Sequence, residues 1–316
     1  MKVVIVGSRG QDGKILSEIF LKRNYEIIGI HRDGIDTNNT DYLGPVNLSD
    51  FLSIENLIRE FKPDHLYYLA AYHQSAEKRE KASEELIKKS YEINVIGYAY
   101  FLEAVKNYSP TTRIFYAASS HIFLNTSDSP QSEETQFAPG SIYGISKVSA
   151  IQLSQMYIRN YNLCIAVGLL YNHESRFRQS DFISSKIING ALLIKEGKLN
   201  QISLKNLEVK VDWGYAEDYM DAAISLLEAN KSGEFLIASG NNHSVQEFVE
   251  LVFNEFNLDW KKYVVSEKLD KIERTNSLVG NIDKIRKEIG WKPKTSFEDM
   301  IVKLVNEKKR MSQEAF

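Results

Sequence analysis

The chain lacks the features that mark several classes of protein. Its 316 residues include one cysteine, Cys164, which leaves no intrachain disulfide and fits the reducing cytoplasm. No apolar run approaches the roughly 18 residues of a membrane span, so we expect no membrane segment. The net charge of −3 gives no reason to expect nucleic acid as a partner. We therefore expect a cytoplasmic globular protein.

Short apolar runs alternate with amphipathic stretches through the first half of the chain. The predicted strands are Val3–Val6, Glu26–Ile30, His65–Ala70, Arg113–Ala117 and Leu163–Leu169. The predicted helices are Asp12–Lys22, Glu84–Asn107, Ile142–Asn160 and one helix capped by Ser49 or Asp50. The apolar face of that capped helix consists of Leu52, Leu57, Ile58 and Phe61. Repeated βα units of this length predict an α/β fold with a doubly wound parallel sheet, the Rossmann arrangement.

The regular pattern ends near Tyr171, where longer polar loops and short helices begin. We predict a dinucleotide-binding Rossmann domain over residues 1–170. Residues 171–316 are predicted to form mainly a smaller α/β substrate domain. Because no Pro/Gly linker separates the two parts, we expect them to be partly interleaved.

A glycine-rich loop, Gly7-Ser-Arg-Gly10-Gln-Asp-Gly13, follows the first strand and opens the first helix. Glycines let the backbone turn tightly and approach a pyrophosphate, whose charge then meets the helix N-terminus. The alternative is an ordinary tight βα turn. The residues predicted to line a dinucleotide are Gly7, Arg9, Gly10, Gln11, Asp12, Gly13, Arg32, Asn47, Leu48, Leu69, Ala70, Ala71, Tyr143 and Lys147.

The end of the second strand carries one basic and one acidic residue, and the two favour different cofactors, NADP and NAD. Arg32 suits a 2′-phosphate, whereas Asp33 accepts hydrogen bonds from a free ribose and repels a phosphate. We expect NAD, with NADP left open.

Tyr143 and Lys147 are one helical turn apart and share a helix face. A lysine ammonium beside a phenol favours the phenolate and pulls its pKa of ~10 towards neutrality. Such a tyrosine can take the proton from an alcohol while the carbon loses a hydride. On its own, the same spacing also describes an ordinary surface helix pair.

Together these motifs resemble the extended short-chain dehydrogenase/reductases, and further segments resemble the GDP-mannose 4,6-dehydratases. The segments are GSRGQDG (Gly7–Gly13), NLSD (Asn47–Asp50), NHES (Asn172–Ser175), DWGYAEDY (Asp212–Tyr219), SVQEFVE (Ser244–Glu250) and GWKP (Gly290–Pro293). They cover nearly the whole chain.

The resemblance implies roles for several residues. Tyr143 would be the base for the 4-hydroxyl of a GDP-linked sugar, Lys147 would lower its pKa, and Ser119 would replace the family's catalytic threonine. Asn94 would be either structural or cofactor-supporting. The catalytic group is Tyr143, Lys147, Ser119, Ser120 and His121. The substrate-binding group is Asn172, Glu174, Arg176, Arg178, Lys186 and Arg274. The resemblance also implies a homodimer or homotetramer.

The chain departs from the family pattern at three positions. His121 replaces the glutamate that removes the C5 proton, Phe123 replaces a tyrosine, and Val211 stands where an arginine is common. We therefore expect oxidation of a GDP-linked manno-configured sugar (GDP-mannose or GDP-manno-heptose) at C4, without elimination. The alternatives are a 4,6-dehydratase with His121 as base, a 4-ketosugar reductase or epimerase, and a non-catalytic nucleotide sensor or scaffold.

Overall fold

Thirteen strands occur in the part of the chain that the computed structural model describes, namely residues 1–38, 44–72, 83–266 and 278–314. They are β1 (Lys2–Val6), β2 (Glu26–His31), β3 (Gly34–Thr37), β4 (His65–Tyr68), β5 (Arg113–Ala117), β6 (Ile165–Leu170), β7 (Asn172–Glu174), β8 (Ile202–Leu204), β9 (Lys210–Val211), β10 (Trp213–Tyr215), β11 (Gly233–Ile237), β12 (His243–Ser244) and β13 (Val264–Ser266).

Ten α-helices lie within the same residues. They are α1 (Gln11–Lys22), α2 (Phe51–Phe61), α3 (Glu84–Tyr91), α4 (Gly97–Tyr108), α5 (Ile142–Tyr161), α6 (Ile183–Lys195), α7 (Ala216–Glu228), α8 (Val245–Glu255), α9 (Asp283–Ile289) and α10 (Phe297–Glu314). None of the helices in these described ranges is both long and apolar enough to cross a bilayer.

Seven strands form the central sheet in the order β11-β6-β5-β4-β1-β2-β3. All neighbours pair in parallel except β2 and β3, which are antiparallel. The order of strand addition reverses between β1 and β4, because β1 leads to β2 on one side and β4 leads to β5 on the other. This point is where ligands bind in such sheets. The predicted doubly wound α/β fold is confirmed.

The sheet forms because its central strands are apolar along their whole length, as a sheet covered on both faces requires. Val3 to Val6 of β1 and every residue of β6 are buried. The helix α2 begins where Asp50 accepts a hydrogen bond from the backbone of Leu52, as predicted. However, Leu52 is 65% exposed and Ile54 is buried in its place, so one residue of the predicted apolar face was wrong.

The predicted long helix from Glu84 to Asn107 is interrupted. A π-helical turn at Glu92–Ile96 separates α3 from α4 and accommodates the buried side chain of Asn94. Such turns concentrate at functional sites.

Two hydrophobic cores are present, and the chain crosses between them more than once. The first core covers both faces of the central sheet and includes Tyr219 of α7, Phe235 of β11 and Ile285 of α9. The second core contains Ile187 of α6 and Phe248 of α8. Late segments of the chain therefore complete the first core, and the division into two partly interleaved domains stays a prediction.

Candidate active site

The glycine loop is shaped to let a ligand approach the backbone. Gly7 has φ +96°, and a Cβ there would lie 2.8 Å from the backbone nitrogen of Ala70. A Cβ on Gly13 would lie 2.3 Å from the carbonyl oxygen of Gly7. Gly10 is the N-cap of α1 and has no side chain to satisfy the first N–H groups of the helix. The residues present therefore fit the pyrophosphate of a dinucleotide.

Acidic groups dominate the end of β2, where the adenosine ribose of a dinucleotide lies in this fold. Arg9 forms a bidentate pair with Asp36, with distances of 3.0 Å from Nε to Oδ2 and 2.9 Å from Nη2 to Oδ1. Asp33 lies 3.7 Å from Arg9, and Arg32 is exposed. Because its arginine fork already holds a carboxylate, this corner suits a free 2′-hydroxyl better than a phosphate.

The other predicted cofactor residues follow neighbouring strands. Leu69, Ala70 and Ala71 come directly after β4, and Leu69 and Ala70 lie against Gly7. Asn47 accepts a hydrogen bond from the backbone of Ser49 at 3.0 Å, and Leu48 comes between these two residues.

Two residues of the loop, Gln11 and Asp12, contact a strand from the second half of the chain. His173 Nε2 lies 3.0 Å and 3.1 Å from the two carboxylate oxygens of Asp12. Gln11 Nε2 donates to the carbonyl of His173 at 3.0 Å. Sequence reasoning did not single out His173, because this contact joins residues 161 positions apart.

Ser119, Tyr143 and His121 meet at the carboxyl edge of the sheet. The helix α5 is capped by Ser141, which places Tyr143 in its first turn, and Ser119 follows the end of β5. The Ser119 side chain hydrogen-bonds to the hydroxyl of Tyr143. The ring of His121 packs edge-on against Tyr143 with 5.6 Å between centroids. Ser120 is buried beside them. The predicted catalytic residues are therefore brought together.

Lys147 is buried one turn further along α5. Its Nζ donates to the carbonyl of Ala117 at 2.7 Å and lies 4.7 Å from the ring centroid of Tyr116. The distance from Nζ to the ring centroid of Tyr143 is 5.7 Å. Burial lowers the pKa of Lys147 to about 7, so this amine carries only part of a positive charge at neutral pH.

The pKa of Tyr143 does not move towards neutrality in this structure, contrary to the prediction. Burial raises it to about 12, the hydrogen bond from Ser119 lowers it, and the Asp12 carboxylate raises it. Burial is the largest cause of this shift, and the effect of Lys147 on the developing phenolate stays a prediction.

The buried lysine makes a pH-dependent contribution to stability. An unfolded lysine has a pKa of ~10.4, so between pH 7 and 10 the unfolded chain binds one more proton than the folded protein. Stability from this group therefore rises with pH across that window. Relative to Lys147→Met, the free energy of unfolding of the wild type should increase by about 1 kcal/mol per pH unit. Urea unfolding at several pH values measures this slope, and a constant difference would contradict it.

Asn94 supports the start of α5. Its Oδ1 accepts from the backbone of Tyr72 at 2.8 Å, and its Nδ2 donates to Ser146 Oγ at 2.9 Å. Ser146 in turn donates to the carbonyl of Tyr143 at 2.7 Å. Of the two roles considered for Asn94, the contacts favour the structural one. Ser146, which the sequence did not reveal, completes the support.

Asn172 and Glu174 lie on β7, which pairs in parallel with β10. Glu174 is buried and accepts from Ser184 Oγ at 2.6 Å, and Arg178 Nε lies 3.1 Å from the same oxygen. The guanidinium of Arg178 stacks 3.7 Å from the ring centroid of Phe182. These contacts fix Glu174 and Arg178 relative to each other.

Arg176 is surrounded by three carboxylates. It contacts Glu18 of α1, Glu307 of α10 at 3.4 Å and Glu217 of α7 at 3.9 Å. The guanidinium therefore joins three helices, and its contact on α1 lies about two turns after the glycine loop. Its role towards a diphosphate stays a prediction. Lys186 is half-buried on α6, and Arg274 lies outside the described residues.

Comparisons with known proteins identify the family of this chain. The family model for GDP-mannose 4,6 dehydratase matches residues 4–304. The chain belongs to the GDP-mannose 4,6-dehydratase family. GDP-mannose 4,6 dehydratase 2 of Arabidopsis thaliana is 32% identical over 325 residues, covering 96% of this chain and 86% of the relative. The corresponding protein of Homo sapiens is 30% identical over 339 residues, covering 96% and 90%.

A solved structure shares the fold across the whole chain. The dTDP-glucose 4,6-dehydratase of Bacillus anthracis, determined in complex with NAD, superposes with a TM-score of 0.82 and 21% identity. The match covers 99% of this chain and 98% of that one. Membership of the GDP-mannose 4,6-dehydratase family confirms the resemblance drawn from the sequence segments. The protein is thus an enzyme of the short-chain dehydrogenase type that acts on nucleotide sugars.

Proposed function

We propose that the protein is an NAD(P)-dependent GDP-sugar 4,6-dehydratase. The observation that carries this proposal is the assembly of Ser119, Tyr143 and Lys147 beside the glycine loop, in a chain whose family match extends over residues 4–304. The preference from sequence for oxidation without elimination gains no support from the relatives, which are named as dehydratases.

A GDP-linked manno-configured sugar is the proposed substrate. When bound, NAD(P) would supply the hydride acceptor for C4 and the hydride donor for C6, and C5 takes up a proton from water as C6 is reduced. Tyr143 takes the proton of the 4-hydroxyl, and Ser119, which already hydrogen-bonds to Tyr143, holds the same oxygen. Lys147, fixed on the carbonyl of Ala117, lies on the same side of α5 and stabilises the phenolate as that charge develops.

His121 is the candidate group for the elimination. Once C4 is a ketone the C5 proton is acidic, and a neutral imidazole can remove it. The imidazolium so formed can give its proton to the departing 6-hydroxyl, which leaves as water. The edge-on packing of His121 on Tyr143 places its ring next to the residue that takes the 4-hydroxyl proton.

A second candidate function is oxidation at C4 that stops at the ketone. The replacement of the family's glutamate by His121 favours it, because the carboxylate charge is lost. Under this alternative one molecule of reduced cofactor accumulates for each molecule of product, and the product keeps all its oxygen atoms.

The deciding experiment incubates the protein with GDP-mannose, and separately with GDP-manno-heptose, in D₂O with NAD or NADP. Loss of water with deuterium at C5 supports the dehydratase. A keto product that keeps its oxygens, with stoichiometric reduced cofactor, supports the second function. Failure to convert any GDP-sugar overturns both.

Replacing His121 separates the two steps. His121→Ala is expected to lower elimination about 10²–10⁴-fold while C4 oxidation continues, because only the base for C5 is removed. Single-turnover mass spectrometry of the product measures this. His121→Glu, which restores the family's carboxylate, is the matched control and should retain elimination. Undiminished elimination in the alanine variant would show that His121 is not the base.

A further inference from the structure

The His173 side chain is enclosed by groups that only accept hydrogen bonds. Nδ1 lies 2.7 Å from the carbonyl oxygen of Tyr171. Nε2 lies 3.0 Å and 3.1 Å from the two oxygens of the Asp12 carboxylate. With Asp12 ionised, both ring nitrogens face acceptors and each carries a proton, so the ring is an imidazolium. It stacks on Tyr219, with 4.8 Å between centroids and 26° between planes.

The charges around the ring agree with this protonation. Burial alone lowers the pKa of His173, but the Asp12 carboxylate more than offsets burial, so the pKa is raised. Burial likewise raises the pKa of Asp12, and His173 reverses the shift so that the pKa is lowered. Arg178 is the other charged group that acts on both side chains. These opposite shifts favour the charged form of both side chains, which form a partly buried ion pair.

The position of Asp12 gives this ion pair a consequence. Asp12 lies in the first turn of α1, where the backbone N–H groups face a diphosphate in dinucleotide sites. A carboxylate there without a positive partner repels a diphosphate, because the poorly solvated space between the two charges screens them little. The same carboxylate raises the pKa of Tyr143, which opposes proton removal by the tyrosine.

We propose that His173 is a positioning residue of the dinucleotide site, whose imidazolium neutralises Asp12 so that the N-terminus of α1 accepts the cofactor diphosphate. The hydrogen bond from Gln11 to the carbonyl of His173 adds a second link between β7 and the loop. The neighbours of His173 on β7, Asn172 and Glu174, point to the opposite side of the strand. One short strand therefore connects the cofactor loop with the predicted sugar-binding residues. This inference rests on the proposed use of NAD(P).

The test is a set of three variants titrated with NADH and with NADPH, followed by fluorescence and without any sugar. His173→Gln keeps a hydrogen-bond donor but removes the charge, and should weaken the dissociation constant about 10–100-fold, the range of a lost charge pair. The double variant His173→Gln with Asp12→Asn removes both charges and should return to within a few-fold of wild type. If the contact were purely structural, the double variant would bind cofactor no more tightly than His173→Gln alone.

Asp12→Asn alone keeps the proposal testable if His173→Gln folds poorly. It should bind cofactor at least as tightly as wild type at acidic pH and lose the gain as the pH rises, because burial lowers the pKa of the histidine once the carboxylate is gone. In turnover assays, the rising limb of the pH profile should move to higher pH in His173→Gln and return in the double variant. Wild-type affinity in His173→Gln overturns the proposal. No binding by the wild type would overturn the NAD(P) assignment as well.

Discussion

Tyr143→Phe should lower turnover of the GDP-sugar about 10²–10⁴-fold, the range that a positioned acid or base contributes. The substitution removes only the hydroxyl that Ser119 hydrogen-bonds and leaves the ring that packs against His121. Cofactor affinity is expected to change by less than about tenfold, because the diphosphate is held by the glycine loop. Steady-state turnover and a cofactor titration on the same preparation measure both quantities.

The matched control is Tyr161→Phe, at the other end of α5, where the ring is 47% exposed. It should leave turnover unchanged. Turnover of Tyr143→Phe within tenfold of wild type would remove the tyrosine from the mechanism, and equal losses in both variants would point to damage to α5.

Gly13→Ala should weaken the cofactor dissociation constant by more than about 100-fold, because the loop must move. The added Cβ would lie 2.3 Å from the Gly7 carbonyl oxygen and 2.6 Å from Ser8 Cα, both backbone atoms of the loop itself. Overpacking of this kind also costs about 1–3 kcal/mol of stability. Cofactor titration and urea unfolding separate the two effects.

Gly140→Ala is the matched control for this substitution. Its nearest neighbour is the end of the Asn125 side chain at 3.0 Å, which can rotate away. Its stability should remain within about 0.5 kcal/mol of wild type. If Gly13→Ala bound cofactor as tightly as Gly140→Ala, the glycine loop would not be the diphosphate site.

The parts of the fold that the sequence predicts are those with a strong local signal. Continuous apolar runs predicted β1 and β5, and the carboxylate of Asp50 predicted the start of α2. The edge strand β3 was missed because it is short and partly exposed, so its residues carry no hydrophobic pattern. The π-helical turn was missed since its cause, the burial of Asn94 against Ser146, is a tertiary contact.

The candidate site shows the same division. Spacing along one helix was enough to find Tyr143 and Lys147, whereas Ser119 was assigned through the resemblance to the family. The lowered pKa of Lys147 depends on burial among side chains from several elements, which no spacing predicts. The partners of Arg176 come from α1, α7 and α10, and these carboxylates have no sequence relation to the arginine.

The placement of β11 determines whether the part of the chain after β6 can be exchanged for another segment. β11 pairs with β6 along its full length, although the chain forms β7, β10 and α7 between the two strands. A chain that ended at residue 170 would leave the backbone of β6, a strand buried at every residue, as an open apolar edge that recruits other chains. The part of the chain after residue 170 can therefore be exchanged as a unit only if the incoming segment also supplies a strand that pairs with β6.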